Sequence, residues 1–267
     1  MARSLDLAAK YDDPRHVVVT AHRGWAARYP ENTMPAFQEA AALGVDLLAV
    51  DIRGTRDHVP ICLHDATLDR TTNATGSPNE YDLAELRCFN ASHWRGTDRE
   101  GYRDARPAQP RLPIPTLHEL LAKLAHAAGF NLHVHETEPA LLAAIHRLFD
   151  DYDLYAQAYL TLNTYRQAQQ VRMVNPRIPL CVLEHQGRYT RATLQQTRDF
   201  GCRAVQLLPQ DLTPEVCAAI ADLRLWPNVY TCQTPADTLR HLRSGIRGLI
   251  TAHPDLILQT IRKLGLT

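Results

Sequence analysis

At 267 residues, 45% of them hydrophobic and 22% charged, the chain has the composition of a folded globular protein with room for one large domain. Twenty-nine basic residues balance 29 acidic ones, so no chain-wide field draws it to nucleic acid or to an anionic membrane surface. No run approaches the ~20 apolar residues of a membrane span, and the six cysteines form no C-x-x-C pair. The first 15 residues are polar, lack the apolar stretch of a signal peptide, and read as a loosely held lead-in. The chain is therefore expected to be soluble and cytoplasmic, with residues 16–267 as one domain.

The first element is HVVVTAH (16–22), a short β-branched strand. A helix follows Pro30 to Thr33, with Asn32 or Thr33 as its cap. Phe37, Ala40, Ala41 and Leu43 form its apolar face and Gly44 ends it. VDLLAVDIR (45–53) is the second strand. VPICLHD (59–65) is also strand-like, but the gap after Asp51 is too short for a parallel crossover, which takes a dozen residues or more. It is read as a hairpin excursion over the mouth. Residues 66–115 are turn-rich, with one short helix near 83–89. The stretch 93–111 is an extended loop and a candidate lid. A capped amphipathic helix follows, with Thr116 as N-cap.

From residue 130 the alternation is regular. Strands at 130–135, 158–162, 178–185, 203–208, 228–233 and 248–251 are each followed by a helical segment. With the first two strands, and without the hairpin, this makes eight strand–helix units. That pattern points to a single α/β (β/α)8 barrel of the TIM type.

Active sites of such barrels lie at the C-terminal strand ends. Those ends carry His22 and Arg23, Asp51, His133 and His135, Glu184 and His185, Tyr230 and His253, with His64 arriving from the hairpin. Six of the 13 histidines fall there. An isolated strand-end histidine is usually a structural hydrogen-bonder. Convergence of six on one rim favours a functional site, because imidazole gains and loses a proton near neutral pH.

The motifs over residues 21–72 carry a resemblance. His22-Arg23-Gly24, Pro30-Glu31-Asn32-Thr33, His64-Asp65 and the L-x-R-T-T run from Leu68 to Thr72 occur in the order found in the glycerophosphodiester phosphodiesterase family. The resemblance implies a phospholipase-C-like phosphodiesterase barrel and a place in lipid metabolism. It further implies that His22 and His64 act as general acid and base on a small phosphodiester or other anionic substrate. Arg23 would lie beside the phosphate, with Glu31, His135 and Tyr230 as further substrate-facing residues.

Three departures mark this chain. The family's E-x-D on the second strand is Ala49-Val50-Asp51, its E-x-K is His133-Val134-His135, and its late T-D-x-P has Ala252 in place of Asp. One metal carboxylate of three remains. Mg²⁺ and Ca²⁺ prefer several oxygen donors, so Asp51 with His133 would better suit Zn²⁺ or Mn²⁺, with His135 or water completing the shell. Alternatively no metal binds, and protonated His133 and His135 supply the positive charge. The expected activity is phosphodiester cleavage by water or by a neighbouring hydroxyl of the substrate. The alternatives are a barrel retooled for a lyase- or cyclase-type reaction, and a non-catalytic ligand binder.

Overall fold

The computed structural model describes residues 5–94, 106–107 and 110–267. Eight parallel strands form a nearly closed barrel: β1 (Val18–His22), β2 (Leu47–Gly54), β4 (Gly129–Val134), β5 (Ala158–Leu162), β6 (Leu180–Val182), β7 (Ala204–Leu207), β8 (Trp226–Tyr230) and β9 (Gly248–Thr251). The ladder runs β6-β5-β4-β2-β1-β9-β8-β7. Across the remaining seam, the Arg203 N–H donates to the Leu180 carbonyl at 3.3 Å. Strand β3 (Pro60–Cys62) pairs antiparallel with β2, with Ile52 opposite Cys62 and Gly54 opposite Pro60. The hairpin expected from the short connection is therefore present. His58 in its turn adopts a φ of +60°.

Helices wrap the barrel in strand-by-strand alternation. After β1 comes α2 (Met34–Leu43), ended by Gly44 in the left-handed conformation. The helix α4 (Leu117–Leu124) is capped at Thr116, which accepts from the Glu119 N–H at 3.1 Å while Glu119 accepts from the Thr116 N–H at 2.9 Å. Around the rest of the barrel run α5 (Pro139–Asp151), α6 (Tyr165–Val174), α7 (Arg191–Asp199), α8 (Pro214–Asp222), α9 (Pro235–Arg243) and α10 (Pro254–Lys263). The main core lies between strands and helices, where residues such as Val19, Leu48, Phe130, Leu160 and Leu249 are fully buried. Near Leu83–Leu86 a single short turn, α3, matches the expected helix over a shorter span.

One stretch differs from the sequence reading. Residues expected to be loosely held form the helix α1 (Leu7–Asp12), which is tied to the strands. Lys10 Nζ lies 2.5 Å from Asp46 Oδ1, with both side chains buried, and the Tyr11 hydroxyl donates to Asn228 Oδ1 at 2.6 Å. Tyr11 also stacks on Trp226 at 5.3 Å. Leu7 is buried in a core cluster with Val18, Leu47 and Trp226, and Tyr11, one turn on, packs against the same cluster. The lid assigned to 93–111 lies mostly outside the described residues. Among the described residues, no helix is long and apolar enough to cross a membrane.

Candidate active site

The site begins with the way β1 ends. After His22 the chain turns through two left-handed residues, Arg23 at φ +58° and Gly24 at φ +78°. A Cβ on Gly24 would lie 2.5 Å from the Ala36 carbonyl carbon, so only glycine allows α2 to pack this closely. Arg23 is a non-glycine residue held where such backbone costs of order 1–3 kcal/mol, a cost the surrounding contacts must offset. Its N–H donates to Ala49 O at 2.9 Å, and its carbonyl accepts from the Asn32 N–H at 3.1 Å. The turn aims the guanidinium at the end of β2.

Asp51 is the hub of the cluster. Its side chain is buried, and four residues converge on it. Asn32 Nδ2 donates to Oδ2 at 3.0 Å and Arg23 Nε lies 3.0 Å from the same oxygen. On Oδ1, His135 Nε2 donates at 2.9 Å and His133 Nδ1 lies at 3.6 Å. Burial alone would raise this carboxyl. The charge of Arg23 and the hydrogen bond from His135 reverse that and hold it well below the usual carboxylate range. Burial likewise disfavours the Arg23 cation, but the charges of Asp51 and Glu31 leave its pKa raised.

The two histidines of the H-x-H pair are not equivalent. Strand β4 stops at Val134, so His133 is still on the strand while His135 has left it. Their rings lie 4.1 Å apart. His133 Nε2 is 3.1 Å from Asn163 Oδ1, and in this orientation of the amide it is Nε2 that donates. Burial first, and repulsion from a charged His135 second, push His133 down to about 4. It is a neutral ring near pH 7, and its Nδ1 lone pair faces Asp51 Oδ1.

His64 enters from the loop after β3. Arg53 holds its backbone carbonyl with two bonds, from Nε at 3.1 Å and Nη2 at 2.9 Å, and reaches Glu136 at 2.9 Å with Nη1. The His64 ring donates through Nδ1 to Asp65 Oδ1 at 2.6 Å and meets the His135 ring edge-on at 5.3 Å. Asp51, His64 and His135 each offer one donor atom, all within 4.8 Å of one another. Among the described residues this is the group able to hold a metal ion.

Two depressions meet the cluster. One, with room for about 30 Å³, is lined by His22, Asp51, Asn131, His133, Gln206 and Tyr230. The other, with room for about 10 Å³, is lined by Glu31, Asn32, His64 and Thr71 among others. His22 meets the Tyr230 ring at 5.0 Å. Both histidines of the expected acid/base pair are partly open to solvent. Their depressions differ, and Asp51 with its partners lies beside both.

Glu31 faces Arg23 rather than open solvent: its Oε1 accepts from Arg23 Nη1 at 2.8 Å. Glu184 and His185 belong to a separate cluster. Glu184 accepts from the Tyr165 N–H at 2.7 Å, and His185 packs with Tyr165 at 5.6 Å. His253 starts α10. Sequence reasoning gave no role to Arg53, Asp65, Arg70 or Glu136. The L-x-R-T-T run was the available signal for Arg70.

Known proteins resemble the chain in sequence and in fold. Residues 22–256 match the model of the glycerophosphoryl diester phosphodiesterase family. A glycerophosphodiester phosphodiesterase of Bacillus subtilis (strain 168) is 27% identical over 257 residues, spanning 91% of this chain and 86% of that protein. A crystal structure from Silicibacter pomeroyi DSS-3 has a TM-score of 0.82 at 23% identity, covering 98% of this chain and 99% of that one. A phosphodiesterase of Oleispira antarctica, solved with its product sn-glycerol-3-phosphate, has a TM-score of 0.77 at 21% identity, covering 91% and 96%.

Proposed function

This chain belongs to the glycerophosphoryl diester phosphodiesterase family, and from that premise we propose that it cleaves a small glycerophosphodiester using His22 and His64. One imidazole takes a proton from the attacking water. The phosphorus–oxygen bond to the leaving alcohol breaks as the new one forms, and the other imidazole protonates the departing alkoxide. The products are a phosphomonoester and a free alcohol. The Oleispira relative holds such a product, sn-glycerol-3-phosphate, which supports a small anionic ester as the substrate class.

The observation that carries the reading is the arrangement around Asp51. The carboxylate collects Arg23, His135 and His133 at the strand ends, beside depressions that expose His22 and His64. Arg23, held between Asp51 and Glu31, sets a permanent positive charge beside the cluster, as an anionic substrate requires. Tyr230, beside His22, is the proposed hydroxyl contact to the alcohol portion.

The family's divalent metal needs a fit in this altered donor set. One carboxylate oxygen and imidazole nitrogens are a poor host for Mg²⁺ or Ca²⁺ and a fair one for Zn²⁺ or Mn²⁺. His133 favours a cation here. With Nε2–H given to Asn163, its Nδ1 faces Asp51 Oδ1 at 3.6 Å, acceptor towards acceptor. Two donor sets share Asp51 and His135: His64 completes the one whose atoms all lie within 4.8 Å of one another, and His133, 3.6 Å from Asp51, completes the other, which this reading takes as the holders. Such an ion, when bound, would polarise the phosphoryl oxygen. The depressed pKa of His133 disfavours the alternative in which it acts as a cation itself. His64 can give one nitrogen to a proton or to an ion, and its Nδ1 is taken by Asp65, so this reading assigns Nε2 to the proton.

The test is hydrolysis of a panel of glycerophosphodiesters by the wild-type protein and by His22→Ala and His64→Ala. Hydrolysis that depends on both histidines supports the reading. Turnover indifferent to both sinks it.

A further inference from the structure

We propose that Asp65 and Arg70 are positioning residues for His64, and that Arg70 locks this histidine and Arg23 into one alternating chain of charges. The proposal deepens the acid/base reading of His64 and rests on it.

The geometry runs from ring to ring of charge. His64 Nδ1 donates to Asp65 Oδ1 at 2.6 Å, which places the proton on Nδ1 and leaves Nε2 as the working nitrogen. Asp65 is itself gripped on both oxygens by Arg70, with Nε to Oδ2 at 2.7 Å and Nη2 to Oδ1 at 2.8 Å. The same guanidinium grips both oxygens of Glu31, at 2.9 Å through Nη1 and 2.7 Å through Nη2. Glu31 then holds Arg23 at 2.8 Å. One planar cation thus makes two forks, one to the loop after β3 and one to the loop after β1.

Two features separate this from an ordinary surface pair. Glu31 is 5% exposed and Arg70 is 12% exposed, so water competes poorly for the bonds. The Trp94 ring covers Arg70 at 5.1 Å. A lysine could not reproduce the arrangement, because an ammonium is a point donor without a planar fork. The backbone of His64 is fixed separately by Arg53, so Asp65 and Arg70 are left to set ring rotation and tautomer. Misplacing a reacting group by about 1 Å can cost ~100-fold in rate, which is the order of effect expected.

The experiment uses Asp65→Asn, which keeps the native shape, and Arg70→Lys, which keeps the charge without the fork, beside His64→Ala and the double variant Asp65→Asn/His64→Ala. Hydrolysis of sn-glycero-3-phosphodiesters gives kcat and KM, and nitrogen-15 NMR of the imidazoles reports the His64 tautomer. Asp65→Asn is expected to lower kcat by about 100-fold with KM changed less than about threefold, and Arg70→Lys, which also loosens Glu31 and Arg23, to lower kcat as far and to raise KM. The His64 signal should lose its single Nδ1–H form in Asp65→Asn, and the double variant should be no slower than His64→Ala alone. An unchanged tautomer with wild-type kcat in Asp65→Asn overturns the proposal, as does a double variant whose losses multiply. A tautomer that answers to Asp65 while His64→Ala keeps full turnover leaves the positioning intact and refutes the acid/base reading instead.

Discussion

Replacing Asp46 by asparagine should remove a pH-dependent part of the fold's stability. The Asp46 side chain is 2% exposed and accepts from Lys10 Nζ at 2.5 Å, His16 Nε2 at 3.0 Å and the Val19 N–H at 2.9 Å. Burial pushes its carboxyl up, but the His16 hydrogen bond and the Lys10 charge pull harder, lowering it from 3.8 to about 2. At ~1.4 kcal/mol per unit, that difference corresponds to about 2 kcal/mol. Because the folded value is depressed, the contribution is whole above the unfolded value and is lost as pH falls through the folded one. Asparagine keeps the shape but leaves the Lys10 ammonium, 7% exposed, without its counter-charge. Near neutral pH the variant should lose about 3 kcal/mol, or roughly 6–12 °C in Tm for a chain of this size. Urea unfolding followed by circular dichroism, on both proteins from neutral pH down to about pH 2.5, reads the gap. It should narrow by about 1.5 kcal/mol at the acid end. A gap of constant size at every pH would refute the reasoning, since Asp46 would then not be the titrating group.

Gly24→Ala should lower Tm by several degrees, at a cost of at least about 2 kcal/mol, because its φ is +78° and the new methyl meets the Ala36 backbone at 2.5 Å. A variant as stable as wild type in the same melt would show that the turn relaxes freely. Elemental analysis of the purified protein should find Zn or Mn bound, with the metal lost in His133→Ala and kept in His64→Ala. Loss of metal in His64→Ala would make His64 a ligand rather than a proton carrier. After chelation, Zn²⁺ or Mn²⁺ should restore both bound metal and thermal stability where Mg²⁺ and Ca²⁺ do not; equal restoration by Mg²⁺ would contradict the donor-set argument.

Strand and helix periods were the legible part of this chain. Runs such as AYLTL and GLIT alternate with amphipathic helices at a spacing that permits little besides a barrel, and the short gap between Asp51 and Val59 excludes a crossover at β3. Helix α1 was not legible because its apolar face is a single turn, Leu7 to Tyr11, and its other anchors, Lys10 on Asp46 and Tyr11 on Asn228, are long-range. At the site, strand-end positions singled out His22, Asp51, His133 and His135. They could not say that β4 would stop at Val134 and turn His135, rather than His133, into direct contact with Asp51. The Glu31–Arg70–Asp65 chain was hidden for a similar reason. It joins two loops, and loop pairings follow from where the barrel brings the loops, not from any repeat in the residues.

The most direct measurement is turnover of a glycerophosphodiester panel by wild type, His22→Ala and His64→Ala, each shown to be folded by its thermal melt. The expected result is hydrolysis by wild type to a phosphomonoester and an alcohol, with kcat at least about 100-fold lower in each variant. Wild-type turnover in either histidine variant would contradict the proposed pair.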